Sequence, residues 1–512
     1  MTIPDSLASL GAVAAIACIA VGCGHGILNA IGLRRIAGRD RVMLASAIGM
    51  TAVSLVAVAI GYVGLLRPWL VRTAVVVSLL LFLPAIRSSV RNLRMSSIIR
   101  SFLGQCSLLE KTLVVIIVTQ ALVLLASAPA PRAAGDGALT QDTAVSPQSA
   151  GERETGAGAG SRPGPVPWPW PWLAQEVLDI SSALLSRPSP RWLAPLFLCA
   201  TGAATYLLAR MFWRRRVAIL AAASFLVTPQ LASPMQVSMD EAAMGFLAVA
   251  SFFALAIYRR SGASTRTPSL LLVALFSGAA ACTGRAGIVH PLILAPMVFL
   301  VPVLLQRERF RIVVYHAGLY AAVACLIAGG WYARSAMFAS DPRLPVPVLS
   351  ELAADQPDAD LGKALVAFLT SPWSFTMGAQ EGSEPPAGNP GPLPLAFIPL
   401  LLLLPGQLSR PVKSILFYCV AYVVYVFLAR QPGQTLLPIL GLAAIATAVG
   451  IDRMSRLGPI AARVAAAAVI IAYAANVAVS AHLVGPSGDR FPVAAAVESD
   501  ARAKVNHLDA VH

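Results

Sequence analysis

Apolar stretches of about 20 residues recur from end to end of the chain, and a stretch of that length crosses a hydrocarbon core of roughly 30 Å as one helix. Fourteen can be marked: 10–32, 43–66, 70–86, 112–128, 192–209, 217–233, 242–258, 269–283, 288–305, 312–331, 393–408, 414–429, 435–451 and 460–482. The expectation is an all-α polytopic membrane protein with about fourteen transmembrane helices. Composition agrees, since 12% of the residues are charged, against about 25% in a soluble domain. The first stretch does not read as a signal peptide, because its leader "MTIPDS" lacks Lys and Arg and the run outlasts an h-region. "AVGC", ending at Cys23, matches a lipoprotein cleavage site only loosely. The seven cysteines are scattered, mostly within apolar segments and with no CxxC pair, which argues against a disulfide framework or a zinc site.

Charge sets the orientation. Alternate loops, at 33–42, 87–111, 210–216, 259–268, 306–311, 409–413 and 452–463, hold 24 of the 39 Lys/Arg and 4 of the 24 Asp/Glu. The rest of the chain holds 15 Lys/Arg and 20 Asp/Glu. Basic loops stay on the cytoplasmic side during insertion. The first set is therefore expected inside, with the N-terminus, the loops 129–191 and 332–392 and the C-terminal tail outside a cytoplasmic (inner) membrane. The net charge of +15 then reflects topology and not nucleic-acid binding.

Ion-coupled transporters and flippases keep ionisable residues within their spans. These spans hold essentially no Asp, Glu, Lys or Arg, and His25, His290 and His316 lie in or near them, with His482 at the edge of the last. Each of the first three reads as a neutral, hydrogen-bonded packing residue. The ionisable chemistry lies in the external segments.

The loop 129–191 opens with "PAPRAAGDGALTQDTAVSPQ", passes through the Gly/Ser-rich "SAGERETGAGAGSRPGP", and ends in "VPWPWPWLAQEVLDISSALLSR". In that last part Leu173, Val177, Ile180 and Leu184 recur at helical spacing, as in an interfacial amphipathic helix. Trp168, Trp170 and Trp172 precede it, either as an aromatic anchor at the membrane interface or as a stacking platform for a sugar or lipid head group. "PQLASPMQVSMDEAAMG" puts Asp240 and Glu241 in the first turn of a helix, where the dipole alone favours carboxylates. "CTGRAG" puts Arg285 between two spans, placed equally well to meet a phosphate or to snorkel.

In this order the segments resemble the GT-C superfamily of polytopic glycosyltransferases, in the branch of protein O-mannosyltransferases and aminoarabinose transferases. "DGALTQDTAVSPQ" is similar to the family's catalytic-loop pattern D-A-L-x-Y-H-L-A-V-P-K, with Asp136 at the position of the catalytic Asp. "YLLARMFWRRRVAILAAASFLVTPQL" and "SMDEAAMGFLAVASFFALAIYRR" resemble the helices and acidic loop that follow. "LLLVALFSGAAACTGRAG" places Arg285 near the family's Lys, and "GGWYARSAMFASDPRLPV" places Arg334 in a stretch like P-W-Y-L-R-N. "SPWSFTMG", "GPLPLAFIPLLLL" and "QTLLPILGLAAIATA" resemble the later loop and spans. The resemblance covers roughly 112–451. It implies three parts: N-terminal transmembrane helices at 1–111, a GT-C-like core at 112–451 with the two long external loops, and a last helix with an external tail at 452–512.

The resemblance also implies a chemistry: a sugar leaves a polyprenyl-phosphate donor for an acceptor hydroxyl on the outer face. Asp136 would take the acceptor proton. Asp240, Glu241, Arg285, Arg334 and Trp172 would bind substrate, and a divalent cation, if one takes part, would sit at Asp136 and Asp240. Asp142 is the poorer alternative base. Two departures stand out. Gln141 and Asp142 replace the Tyr-His after the catalytic Asp, and Gln434 and Thr435 stand where the family has the Arg of R-Y-L-L-P. They imply either a changed substrate or an inactive relative that binds lipid-linked saccharide or scaffolds an envelope complex.

Overall fold

The structure, a computed structural model, describes residues 3–33, 38–62, 68–92, 108–127, 193–228, 231, 239–283, 285–306, 310–338, 392–428 and 436–484. The described residues form fourteen helices and no strand. In chain order they are α1 (Ile3–Ala30), α2 (Gly38–Tyr62), α3 (Pro68–Asn92), α4 (Leu108–Ser127), α5 (Leu193–Phe212), α6 (Arg215–Leu226) and α7 (Met239–Arg260). Then follow α8 (Ala263–Ala281), α9 (Arg285–Gln306), α10 (Phe310–Phe338), α11 (Pro392–Leu403), α12 (Arg410–Leu428), α13 (Leu437–Ser455) and α14 (Pro459–Val484). Each falls on one of the apolar stretches marked in the sequence.

Six of them, α1, α3, α5, α7, α10 and α13, are long and apolar enough to cross a membrane. Two are shorter than their apolar stretches suggest. Both α6 and α11 have 12 residues, about 18 Å at the helical rise. α6 leaves helical geometry at Val227, just before Thr228-Pro229, because proline disfavours the α conformation of the residue preceding it. α11 stops ahead of Pro405 and Gly406, and Gly406 has φ of 105°, open to glycine without strain.

Burial is organised from the inside out. α7 and α13 are buried along most of their length, and α6 packs between α5 and α13. Around them lie α8, α9, α10 and α12 on one side and α4, α11 and α14 on the other, while α2 carries α1 against α7 and α8, and α3 packs mainly on α1. The outer helices expose large apolar side chains: Val76, Leu80 and Leu83 on α3, Leu326 on α10, Ile460 and Ile471 on α14. Such an apolar surface marks a face built for contact with something other than water. Together with the six long apolar helices it identifies a membrane-embedded helical protein.

With lipid outside and apolar side chains inside, close packing must supply part of the cohesion between helices. α1 and α2 achieve it with two glycines. A Cβ on Gly24 would collide with the backbone of Ala45, and one on Gly49 with the backbone of Ala20. The antiparallel pair thus touches backbone to backbone, a separation that only glycine permits at these two positions.

The basic residues that close α5, α7 and α13 and open α12 gather at one end of the bundle. Arg260, closing α7, donates to the Met211 carbonyl of α5 at 2.8 Å. Arg259 donates to Ser414 Oγ of α12 at 3.0 Å. Arg453, closing α13, donates to the Gln407 carbonyl at 2.5 Å, and Arg41 of α2 donates to His25 Nδ1 of α1 at 3.1 Å. The starts of α7, α9 and α13 and the ends of α8, α10 and α12 therefore lie at the opposite end.

Candidate functional site

At that opposite end, sequence and packing bring three elements to one point. Glu241 lies half-buried in the first turn of α7, and its carboxylate acts electrostatically on the Tyr422 phenol of α12. One turn further along α7, Gly245 packs against Leu437 at the start of α13. Tyr422 is completely buried, and its hydroxyl has no hydrogen-bond partner among the described residues. A buried hydroxyl normally finds a partner. This one lies six residues before the end of α12, on the side of the bundle toward Glu241.

The second corner is built by α8, α9 and α10. Tyr332 Oη donates to the Ala281 carbonyl at 2.9 Å, joining the far end of α10 to the end of α8. α9 begins four residues after Ala281, packed so closely that a Cβ on Gly287 would meet the Ala280 carbonyl. Arg285 opens α9, and Arg334 follows Tyr332 by two residues on α10. The backbones that carry the two arginines thus share one corner.

A buried polar cluster connects the two corners from beneath. His290 of α9 is fully buried, with Nδ1 2.5 Å from the Tyr418 hydroxyl of α12 and Nε2 3.0 Å from Ser251 Oγ of α7. The proton positions follow from valence. Ser251 has one hydroxyl proton and donates it to the Leu247 carbonyl at 2.8 Å, so its Oγ accepts from His290 Nε2–H. In a neutral imidazole Nδ1 is then the acceptor, and Tyr418 is the donor. Tyr418 stacks on Tyr422 with ring centroids 6.2 Å apart, which extends the cluster from His290 one turn toward the Glu241 end of the bundle. Along the helices Glu241 lies about 15 Å above Ser251, and Arg285 about 7 Å above His290, at 1.5 Å per residue.

Two further histidines have partners of their own. His316 Nδ1 lies 3.0 Å from the Tyr258 hydroxyl, and His25 accepts from Arg41.

Of the residues singled out in the sequence, the structure places Glu241 fully. Asp240, Arg285 and Arg334 have described helical backbones, but their side chains lie outside the described residues. Asp136, Asp142, Trp172 and the helix expected over 173–184 also lie outside them. No group of three or more His, Cys, Asp or Glu able to hold a metal occurs among the described residues. Sequence reasoning missed Ser251, Tyr418 and Tyr422. The signal was present in "FYCVAYVVYVF", where Tyr418, Tyr422 and Tyr425 recur at i, i+4 and i+7 and so share one helix face.

No protein-family model matches the chain, and a search of curated proteins finds no match either.

Proposed function

We propose that the protein is a membrane glycosyltransferase of the GT-C type, moving a sugar from a polyprenyl-phosphate donor to an acceptor on the outer face of the cytoplasmic membrane. In this reading all fourteen helices cross or enter the bilayer. The basic end faces the cytoplasm, and both termini lie outside. The observation that carries the reading is that the end away from the basic loops holds a half-buried carboxylate, a tyrosine hydroxyl unpartnered among the described residues and the helix ends bearing Arg285 and Arg334.

The reaction forms a bond from the acceptor oxygen to the sugar's anomeric carbon and breaks the bond from that carbon to the donor phosphate. Asp136, in the loop between α4 and α5, takes the acceptor proton. Arg285 and Arg334 neutralise the charge that grows on the departing polyprenyl phosphate. Glu241, with Asp240, orients the polar part of the substrate, and the Tyr422 hydroxyl supplies a hydrogen bond to it. Trp172 anchors the loop at the interface or stacks on the sugar. A divalent cation at Asp136 and Asp240 would add a second positive charge beside the phosphate.

The test is release of polyprenyl phosphate from short-chain polyprenyl-phosphate sugars by the full chain reconstituted in liposomes, with an added hydroxyl acceptor or water taking the sugar. Release above that of protein-free liposomes supports the reading. A folded chain that cleaves no donor, yet retains one on a column, points instead to an inactive binding relative.

A further inference from the structure

A cavity at the basic end lies apart from the corners described above. It lies between α5, α7, α9 and α12, with a volume of about 500 Å³, within the roughly 300–1,000 Å³ of known ligand sites. Its walls are apolar, formed by Phe252, Leu255, Met297 and Ile415 among others. Its polar lining is Ser414 and four cations, Arg259, Arg260, Arg410 and Lys413, with no carboxylate among the lining residues; Arg260 also lies over the Phe212 ring.

Two details set this cavity apart from a gap between helices. Arg259 is fixed by donation to Ser414 Oγ at 3.0 Å and to the Met297 carbonyl at 3.4 Å, yet its Nε is buried without a hydrogen-bond partner among the described residues. A buried charged donor left without an acceptor is expensive, and an anion would resolve it. Arg410 and Lys413 stand in the first turn of α12, where the positive end of the helix dipole disfavours cations. Four cations and a helix N-terminus around one apolar hollow form a surface complementary to a single group that is anionic at one end and aliphatic at the other.

We propose that this cavity binds one anionic phospholipid from the leaflet at the basic end. The phosphate lies against Arg259 and the cationic rim, and an acyl chain fills the space lined by Phe252, Leu255 and Met297. The apolar walls select a lipid over free phosphate, and the cations select an anionic head group over a zwitterionic one. The site stands whether or not the opposite end transfers a sugar.

The test is native mass spectrometry of the purified full chain, delipidated and then exposed to equal amounts of phosphatidylglycerol and phosphatidylcholine. One phosphatidylglycerol should be retained in preference to phosphatidylcholine, and millimolar inorganic phosphate should not displace it. Lys413→Gln, at an exposed position, should lower the preference about fivefold, the worth of one surface cation toward anionic lipid. Leu255→Trp, which fills the hollow and leaves every charge in place, should abolish retention. Equal retention of the two lipids by the wild-type chain would overturn the proposal. So would a preference unchanged in both variants, which would move the lipid to the outer surface, and so would displacement by free phosphate.

Discussion

His290 and Tyr418 meet at 2.5 Å, with the tyrosine as donor, because Ser251 has already committed the other ring nitrogen to the role of donor. This pair joins α9 to α12 beneath the candidate site. Tyr418→Phe leaves the Nδ1 lone pair without a partner in a fully buried setting. Helix–helix hydrogen bonds in bilayers average about 0.6 kcal/mol and reach about 1.7, so a loss of about 1 kcal/mol is expected. Tyr422→Phe removes a hydroxyl with no partner among the described residues, and stability should stay unchanged. Unfolding midpoints of both variants in bicelles check this, and equal losses would contradict the assignment.

The crossing of α1 and α2 predicts a contrast among glycines. Gly24→Ala and Gly49→Ala force a Cβ into opposing backbone and should destabilise by about 1–3 kcal/mol each, the range for overpacking. Gly318→Ala on α10 meets nothing within 4 Å and should be neutral, or stabilise by up to about 1 kcal/mol through helix propensity. The same unfolding assay distinguishes them.

Much of this architecture could be read directly from the chain, because a bilayer imposes long apolar runs and a charge bias that survive without knowledge of packing. The helix ends at Thr228-Pro229 and Pro405-Gly406 were also visible as breakers, although the apolar runs continued past them. Partner choice was not visible. His290 reads as a packing residue, but only the fold brings Ser251 and Tyr418, 39 and 128 residues away, to its two nitrogens. Arg259 reads as one more basic loop residue, and only its burial beside Met297 and Ser414 marks a cavity. Asp136 rests on its resemblance to a motif.

Orientation is tested by labelling. In a chain whose native cysteines are replaced by serine, cysteines at Ser149 and Ser383 should react with a membrane-impermeant thiol reagent in intact cells. A cysteine at Ser264, in the first turn of α8, should react only after permeabilisation. Labelling of Ser264→Cys in intact cells would reverse the bundle and remove the outer-face reaction.

Arg285 separates phosphate binding from membrane anchoring. A guanidinium holds phosphate oxygens bidentately and an ammonium does not. Arg285→Ala should weaken binding of a short-chain polyprenyl-phosphate sugar in nanodiscs strongly, and Arg285→Lys should restore only part of it. Full restoration by Lys would mean that the side chain only snorkels.

The central claim is that this chain transfers a sugar with Asp136 as base, and single-turnover release of polyprenyl phosphate by Asp136→Asn measures it most directly. With donor affinity held near that of the wild type, the rate should fall by about a hundredfold or more, as expected when a general base is lost. Asp142→Asn should fall far less. A rate unchanged by Asp136→Asn, or a hundredfold loss from Asp142→Asn alone, would contradict the claim.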